Sequence, residues 1–291
     1  MKYKMLFILI YFIKFKQWSI VILYEHSELH LIFKLKNVKL KKMKSNNNTI
    51  CNYKDYDYKT EFWTKDRLYE HWVDILSLKK LFNKHCKHKD SLLDAGCGFG
   101  RCHPSYIKEF KQISLFDYAD NLLNQAKENL KEHSHITYHK GDIYQLSHLK
   151  KEFDTIISIR TLHHILDVDQ FFKQVKSSLK PKGVFIFDVP NKIHLLRRIK
   201  YLFLRKPNRL YSKEHLSLND CFVNHHPKKI EELCQENDLH IIDICNTNIF
   251  RVKLIKKLVP AKLLANIDIW LQKILKHIYC SPSLYYITIK K

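Results

Sequence analysis

The stretch Leu92-Leu93-Asp94-Ala95-Gly96-Cys97-Gly98-Phe99-Gly100-Arg101 constrains this chain more than any other. Ser91-Leu92-Leu93 reads as the end of a short buried strand, and it is followed by an aspartate and then by glycine at every second position. Glycine has no Cβ to collide with a neighbour and tolerates positive φ, so this spacing specifies a turn that passes very close to something. A strand that runs into a glycine-rich turn and then a helix is the nucleotide-cradling corner of an α/β sheet. The dinucleotide fingerprint G-x-G-x-x-G has its third glycine one place later than the Asp-x-Gly-x-Gly-x-Gly found here, which disfavours a nicotinamide-dependent oxidoreductase.

Downstream, strands and helices alternate. Residues 104–110 read as the first helix and Ile113–Phe116 as the second strand, ending on Asp117. A carboxylate at that strand tip can accept hydrogen bonds from both hydroxyls of a ribose. The bland alternative is a helix cap, but Asp120 is available to cap the helix expected over 121–131. Ile136–His139 is the third strand and leads to Gly141-Asp142-Ile143, where Asp142 is either a ligand contact or a turn aspartate. Phe153–Ile159 is almost continuously apolar, as expected of a parallel strand covered on both faces. Ligands of open α/β sheets bind beyond the carboxyl ends of the strands, so Arg160-Thr161-Leu162-His163-His164 faces the site. Arg160 is a candidate for binding a carboxylate, with a surface salt bridge as its alternative; His163 or His164 is a candidate base, with packing as the alternative. A fifth strand over 184–188, a helix over 227–237, a sixth strand over 239–244, helices over 250–278 broken at Pro260 and a closing antiparallel strand over 284–289 complete the pattern.

From about Leu92 to Lys290 these motifs resemble the class I S-adenosylmethionine-dependent methyltransferases, in particular the broad type 11 group that includes enzymes methylating quinone precursors. The resemblance implies an α/β fold: a Rossmann-like seven-stranded sheet with helices on both faces and an added helical cap. With the chain's own composition it gives three segments: an extension over 1–44, a helical cap over 45–90, and a catalytic domain over 91–291 with helical insertions near 190–225 and 250–279. S-adenosylmethionine is the implied cofactor, held by Asp94, Gly96, Cys97, Gly98, Gly100, Asp117, Tyr118, Asp142, Ile143 and Arg160. In the family the Asp142 position accepts from the adenine amine and the next N–H reaches a ring nitrogen. Helices before the glycine motif lie over the pocket there, which makes Tyr58, Trp63 and Tyr69 lid candidates. The chain departs from the pattern at Lys182, where the family has a glycine. The implied reaction is in-line displacement at the sulfonium methyl by a small-molecule nucleophile, lipid- or quinone-like acceptors included. A methyltransferase of RNA and a non-catalytic cofactor-binding scaffold are the rival readings; no Asn-Pro-Pro-Tyr-like motif or two-cysteine RNA-methylation pattern supports the first.

The formal net charge is +22, from 51 Lys and Arg against 29 Asp and Glu. Such a balance suits nucleic acid or an anionic membrane surface, or reflects a lysine-rich coding habit. No nucleic-acid partner is expected, peripheral membrane contact stays open, and the sequence is silent on oligomeric state. Lys192, Arg197, Arg198, Lys200, Arg205 and Lys206 accompany an apolar face of Leu195, Leu196, Ile199, Leu202 and Phe203, which fits either a membrane surface or a solvated helix. Leu254, Leu258, Leu263, Leu264 and Trp270 either line a pocket for a lipid-like acceptor or form plain core. The eight cysteines show neither C-x-x-C nor zinc spacing, so a reducing, cytoplasmic setting and no metal are expected. Residues 1–44 have three readings: an extension upstream of a natural start at Met43, an amphipathic membrane-associating segment, or a targeting signal. Their two apolar runs are interrupted by Lys14 and Lys16, short of the roughly 20 apolar residues that a spanning helix needs.

Overall fold

The computed structural model describes residues 63, 67–203, 210–219, 222–275 and 278–291. The readings of 1–44 and the lid role of Tyr58 lie outside them. All described residues belong to one unit, Thr49–Lys291. Seven strands form one sheet: β1 (Ser91–Ala95), β2 (Gln112–Asp117), β3 (Ile136–Lys140), β4 (Phe153–Ser158), β5 (Leu179–Pro190), β8 (Leu239–Thr247) and β9 (Ser283–Lys290). A ribbon of β6 (Leu216–Asn219) and β7 (Phe222–Asn224) stands apart and was not foreseen from the sequence. The order is β3-β2-β1-β4-β5-β9-β8, with β9 antiparallel to both β5 and β8 and the first five strands parallel. This is the expected seven-stranded arrangement. The chain winds outward from β1 in one direction and then returns to begin again at β4, which opens a crevice at the carboxyl ends of β1 and β4.

Alternation along the strands sends neighbouring side chains to opposite faces. Leu92, Ile157, Ile186, Tyr285 and Ile287 meet Leu78 and Phe82 of α1 (Leu68–His85) in one core cluster, together with Tyr106 at the end of α2 (His103–Tyr106) and Leu123 of α3 (Asp120–Asn129). Leu93, Ile156, Phe185, Phe187 and Tyr286 meet Phe171 and Phe172 of α4 (Val168–Ser178) in the other. The remaining helices are α5 (Leu195–Phe203), α6 (Pro227–Glu236), α7 (Lys253–Leu258) and α8 (Ala261–Ile274), with Pro260 separating the last two as expected.

Several local expectations are corrected. The first helix closes at Tyr106 rather than at 110. Asp120 does not cap α3: it is the first helical residue, it pairs with Lys140, and the residue before the helix is Ala119. Lys182, standing where the family has glycine, adopts the left-handed conformation that a glycine would take, φ 61°. Lys192 is not on the basic face of the insertion: it is buried, and its Nζ donates to the carbonyls of Ser212 and Glu214 and to Ser212 Oγ. Leu264 is buried with Tyr69, Val73 and Ala265, whereas Leu254, Leu258, Leu263 and Trp270 are exposed, so these five do not line a common pocket. Cys234 and Cys245 are buried free thiols.

The cap helix α1 is fastened to α7 and α8 through polar contacts. Tyr69 donates to Asp268 (2.5 Å), Gln272 Nε2 donates to Ser77 Oγ (2.9 Å), and Lys256 pairs with the buried Glu70 (2.9 Å). Tyr69 is therefore part of a packed seam and not a mobile cover over a pocket.

Candidate functional site

The turn after β1 places Gly96, Gly98 and Gly100 at φ 82°, 54° and 75°, all in the region that L side chains rarely adopt. Their surroundings differ. A Cβ on Gly96 would lie 2.5 Å from Thr161 Oγ1, and one on Gly100 would lie 3.1 Å from Leu130, so these two are close approaches to the protein itself. A Cβ on Gly98 would meet nothing nearer than Leu122 at 4.0 Å. Gly98 is thus the position of the turn at which another molecule can come near the backbone.

Asp117, at the carboxyl tip of β2, sits directly against that position. Its Oδ2 accepts from the N–H of Gly98 (2.8 Å) and its Oδ1 from the N–H of Ala119 (3.0 Å). Burial raises its pKa, against the pull of the Ala119, Gly98 and Tyr118 backbone N–H groups. Each carboxylate oxygen keeps a further acceptor direction. The β1 turn is tied to β2 at the same place, since Gly96 and Cys97 both donate to the carbonyl of Phe116 (2.8 and 3.1 Å). Gly141, at the end of β3, is required by the Phe116 ring, which a Cβ there would meet at 2.6 Å.

Asp94 is enclosed. Its Oδ2 accepts from Tyr106 (2.9 Å), and burial pushes its pKa up to about 7 despite that bond. The Cys97 thiol is buried beside the turn, with its pKa raised by burial and by Asp117 and Asp94. Asp142 accepts from the N–H of Tyr144 (2.9 Å) and caps a 3-10 turn over Ile143–Leu149; Tyr118 and Ile143 flank the β2 and β3 tips.

Arg160 follows β4 with φ 62°. Neither a surface salt bridge nor an open carboxylate site describes it. The side chain is inside an ionic cluster that the sequence reading missed: Nε and Nη2 hold both oxygens of Asp74 on α1 (3.1 and 2.8 Å), and Nη1 reaches Ser283 (3.1 Å) and Asp188 at the end of β5 (3.4 Å). Arg101 and Tyr285 also donate to Asp74 (2.9 Å each). Burial acts to raise the Asp74 pKa, but Arg160 and Arg101 outweigh it and hold the carboxyl below its usual range. Arg101 lies 3.8 Å from the centroid of the Trp63 ring, and its Nη1 is buried without a hydrogen-bond partner among the described residues. Asp74 was the available signal, being a charge, like Glu70, on the buried side of the α1 helical pattern.

His163 and His164 form a 3-10 turn with Leu162, their rings 3.9 Å apart and the ring of Phe222 5.2 and 4.9 Å away. Burial, with the neighbouring His164 and Arg160, lowers the His163 pKa well below its ordinary value, so that imidazole is neutral. A neutral imidazole can accept a proton.

Residues 93–187 match the family model for a methyltransferase domain. The fold agrees with solved class I structures. Magnesium protoporphyrin IX methyltransferase from Synechocystis, with bound S-adenosylmethionine, aligns at a TM-score of 0.56 over 86% of this chain and 100% of that one, at 12% identity. A putative S-adenosylmethionine-dependent methyltransferase from Listeria monocytogenes aligns at 0.53 over 76% and 98%, at 18% identity. Residues 93–187 carry a methyltransferase domain, in a fold that the chain shares with solved S-adenosylmethionine-dependent methyltransferases.

Among curated relatives of this methyltransferase domain, malonyl-[acyl-carrier protein] O-methyltransferase from Halalkalibacterium halodurans is 28% identical over 102 residues, 33% of this chain and 38% of the relative. Ubiquinone biosynthesis O-methyltransferase from Rickettsia bellii is 23% identical over 139 residues, 45% of this chain and 58% of the relative. The chain therefore matches less than two thirds of either protein. The methyltransferase domain contains the Gly98 opening, Asp117 and Arg101 Nη1, a set that fits a nucleoside joined to a charged group.

Proposed function

We propose that this protein is an S-adenosylmethionine-dependent methyltransferase acting on a small molecule. One observation carries the reading: the Asp117 carboxylate stands at the tip of β2 against the single glycine of the turn whose Cβ direction is open. In this reading Asp117 accepts from the ribose hydroxyls while Gly98 and Ala119 hold its carboxylate in place. Gly96, Cys97 and Gly100 shape the turn, and Asp94 supports it from below through Tyr106. Asp142 and the N–H of Ile143 read the adenine edge, beside Tyr118. Arg101 Nη1 supplies a donor to a carboxylate, with Arg160 kept in place by Asp74 and Asp188.

When bound, S-adenosylmethionine supplies an activated methyl group on sulfur. What the chain has to add is alignment of two reactants and exclusion of water, and alignment alone can lower a barrier by roughly 7–11 kcal/mol. His163 or His164 takes the acceptor's proton where the acceptor needs to lose one. The relatives methylate a malonyl thioester carrier and an intermediate of ubiquinone biosynthesis by their names, which makes carboxylate and hydroxyl groups of small or lipid-like molecules the acceptors to try first.

The test is transfer of isotopically labelled methyl from S-adenosylmethionine to a hydroxylated prenyl benzenoid, a malonyl thioester and bulk RNA. Transfer to either small molecule supports the reading. Transfer to RNA alone replaces the acceptor class, and cofactor binding with no transfer to any of the three favours a scaffold.

A further inference from the structure

One face of the C-terminal helices points away from the protein and is apolar. On α8, Leu263, Ile267, Trp270 and Ile274 recur at intervals of four, three and four residues, and are 54%, 39%, 60% and 57% exposed. That spacing places them on one stripe of an α-helix. The opposite side of the same helix carries Leu264, Ala265, Asp268 and Gln272, which are buried in the seam with α1. α8 is therefore held to the protein by a partly polar face while a second, apolar face is left to the outside. The preceding helix continues the pattern: α7 has no buried residue, and Val252, Leu254 and Leu258 are exposed, the last at 74%. Ile278, beyond α8, is exposed as well.

The charges around the stripe have one sign. Lys257, Lys262 and Lys273 are exposed on the flanks, and Lys253 is exposed on α7. Between Phe250 and Ile278 the sequence contains a single acidic residue, Asp268, and its carboxylate is turned inward to Tyr69 and the N–H of Ile249. Leucine, isoleucine and a tryptophan bordered by lysines, with no outward acid, is the composition of a helix that lies in the headgroup region of a bilayer. Among the described residues no helix is long and apolar enough to cross a membrane, so the contact is one of lying on the surface.

We propose that α7 and α8 dock this protein on an anionic lipid bilayer, with Leu254, Leu258, Leu263, Ile267, Trp270 and Ile274 entering the acyl boundary and the flanking lysines meeting the headgroups. Charge decides between this occupant and a second copy of the chain. A two-fold interface sets the same patch against itself, which brings Lys257, Lys262 and Lys273 towards their own counterparts with no acidic partner to offset them. An anionic surface neutralises them. The surface potential of such a bilayer favours each nearby lysine by an amount that, over three of them, strengthens association on the order of tenfold or more relative to a neutral bilayer. The docking helix is also coupled to the cap, since Gln272 bonds Ser77 on α1, one turn from the Asp74 that holds Arg160.

The experiment is co-sedimentation of the full chain with phosphatidylcholine vesicles and with vesicles that also contain phosphatidylglycerol, for the native protein, Trp270→Asp and Leu258→Asp/Ile267→Asp. S-adenosylhomocysteine affinity and the melting transition report that each variant is folded. Expected are tenfold or stronger association with the anionic vesicles, weakened by added salt, and loss of most of it in both variants with cofactor affinity unchanged. Equal association with both vesicle types, association that survives the substitutions, or a dimer of the native protein that Trp270→Asp dissociates would each overturn the proposal.

Discussion

Glycine plays two roles within five residues of the β1 turn, and substitution separates them. Gly96→Ala places a methyl 2.5 Å from Thr161 Oγ1 in a left-handed backbone, so the protein should be destabilised by about 3 kcal/mol or more, as measured by urea unfolding. Gly98→Ala meets only Leu122, at an ordinary contact distance of 4.0 Å, and its φ of 54° disfavours alanine by about 1–2 kcal/mol. It should keep the fold and lose cofactor affinity. If both variants lost stability equally with cofactor binding intact, the assignment of the open side to Gly98 would be wrong. Asp94 gives a pH signature. Its folded pKa of about 7 exceeds the ordinary aspartate value of 3.8, so the native state binds the extra proton. Its stabilising contribution is full below about pH 4 and is lost as pH rises towards 7. The melting temperature of Asp94→Asn relative to the native protein should therefore rise between those limits, and a pH-independent difference would remove the assignment. The aspartates and glycines of this site were legible because their spacing is local. The partners were not: Thr161 lies 65 positions from Gly96, and only the pairing of β1 with β4 brings them together.

At the scale of elements, the link between cap and sheet is the Asp74 cluster. Asp74→Ala would leave the buried guanidinium groups of Arg101 and Arg160 without their shared carboxylate, and removing one partner of a buried pair typically costs about 3–5 kcal/mol. Guanidinium unfolding should show that loss, and Asp74→Asn should recover part of it; a change below about 1 kcal/mol would mean that Asp188 alone suffices. The parallel strands were legible because β4 and the Val184–Phe187 part of β5 are apolar runs that suit a doubly covered sheet, whereas the seven-stranded arrangement was implied only by the family resemblance. Helix ends were less legible. Asp120 has the composition of a cap, but Lys140 on β3 takes its carboxylate, a contact that no local pattern encodes. Its position after a strand tip makes Arg160 a candidate for binding a ligand carboxylate, but the carboxylate that holds it, Asp74, precedes it by 86 positions.

For the whole molecule, a charge of +22 does not by itself name a partner. Its distribution is more telling, since the C-terminal helices combine outward lysines with an apolar stripe while the crevice side is built from paired charges and a carboxylate against an open glycine. The central claim is that this crevice is a nucleoside site organised by Asp117. Calorimetric titration of the full chain with S-adenosylhomocysteine, beside Asp117→Asn, tests it most directly. Saturable binding to the native protein, weakened about tenfold to a hundredfold in the variant, is expected from the loss of hydrogen bonds to a charged acceptor. Absence of binding to the native protein, or binding that Asp117→Asn leaves unchanged, would contradict it.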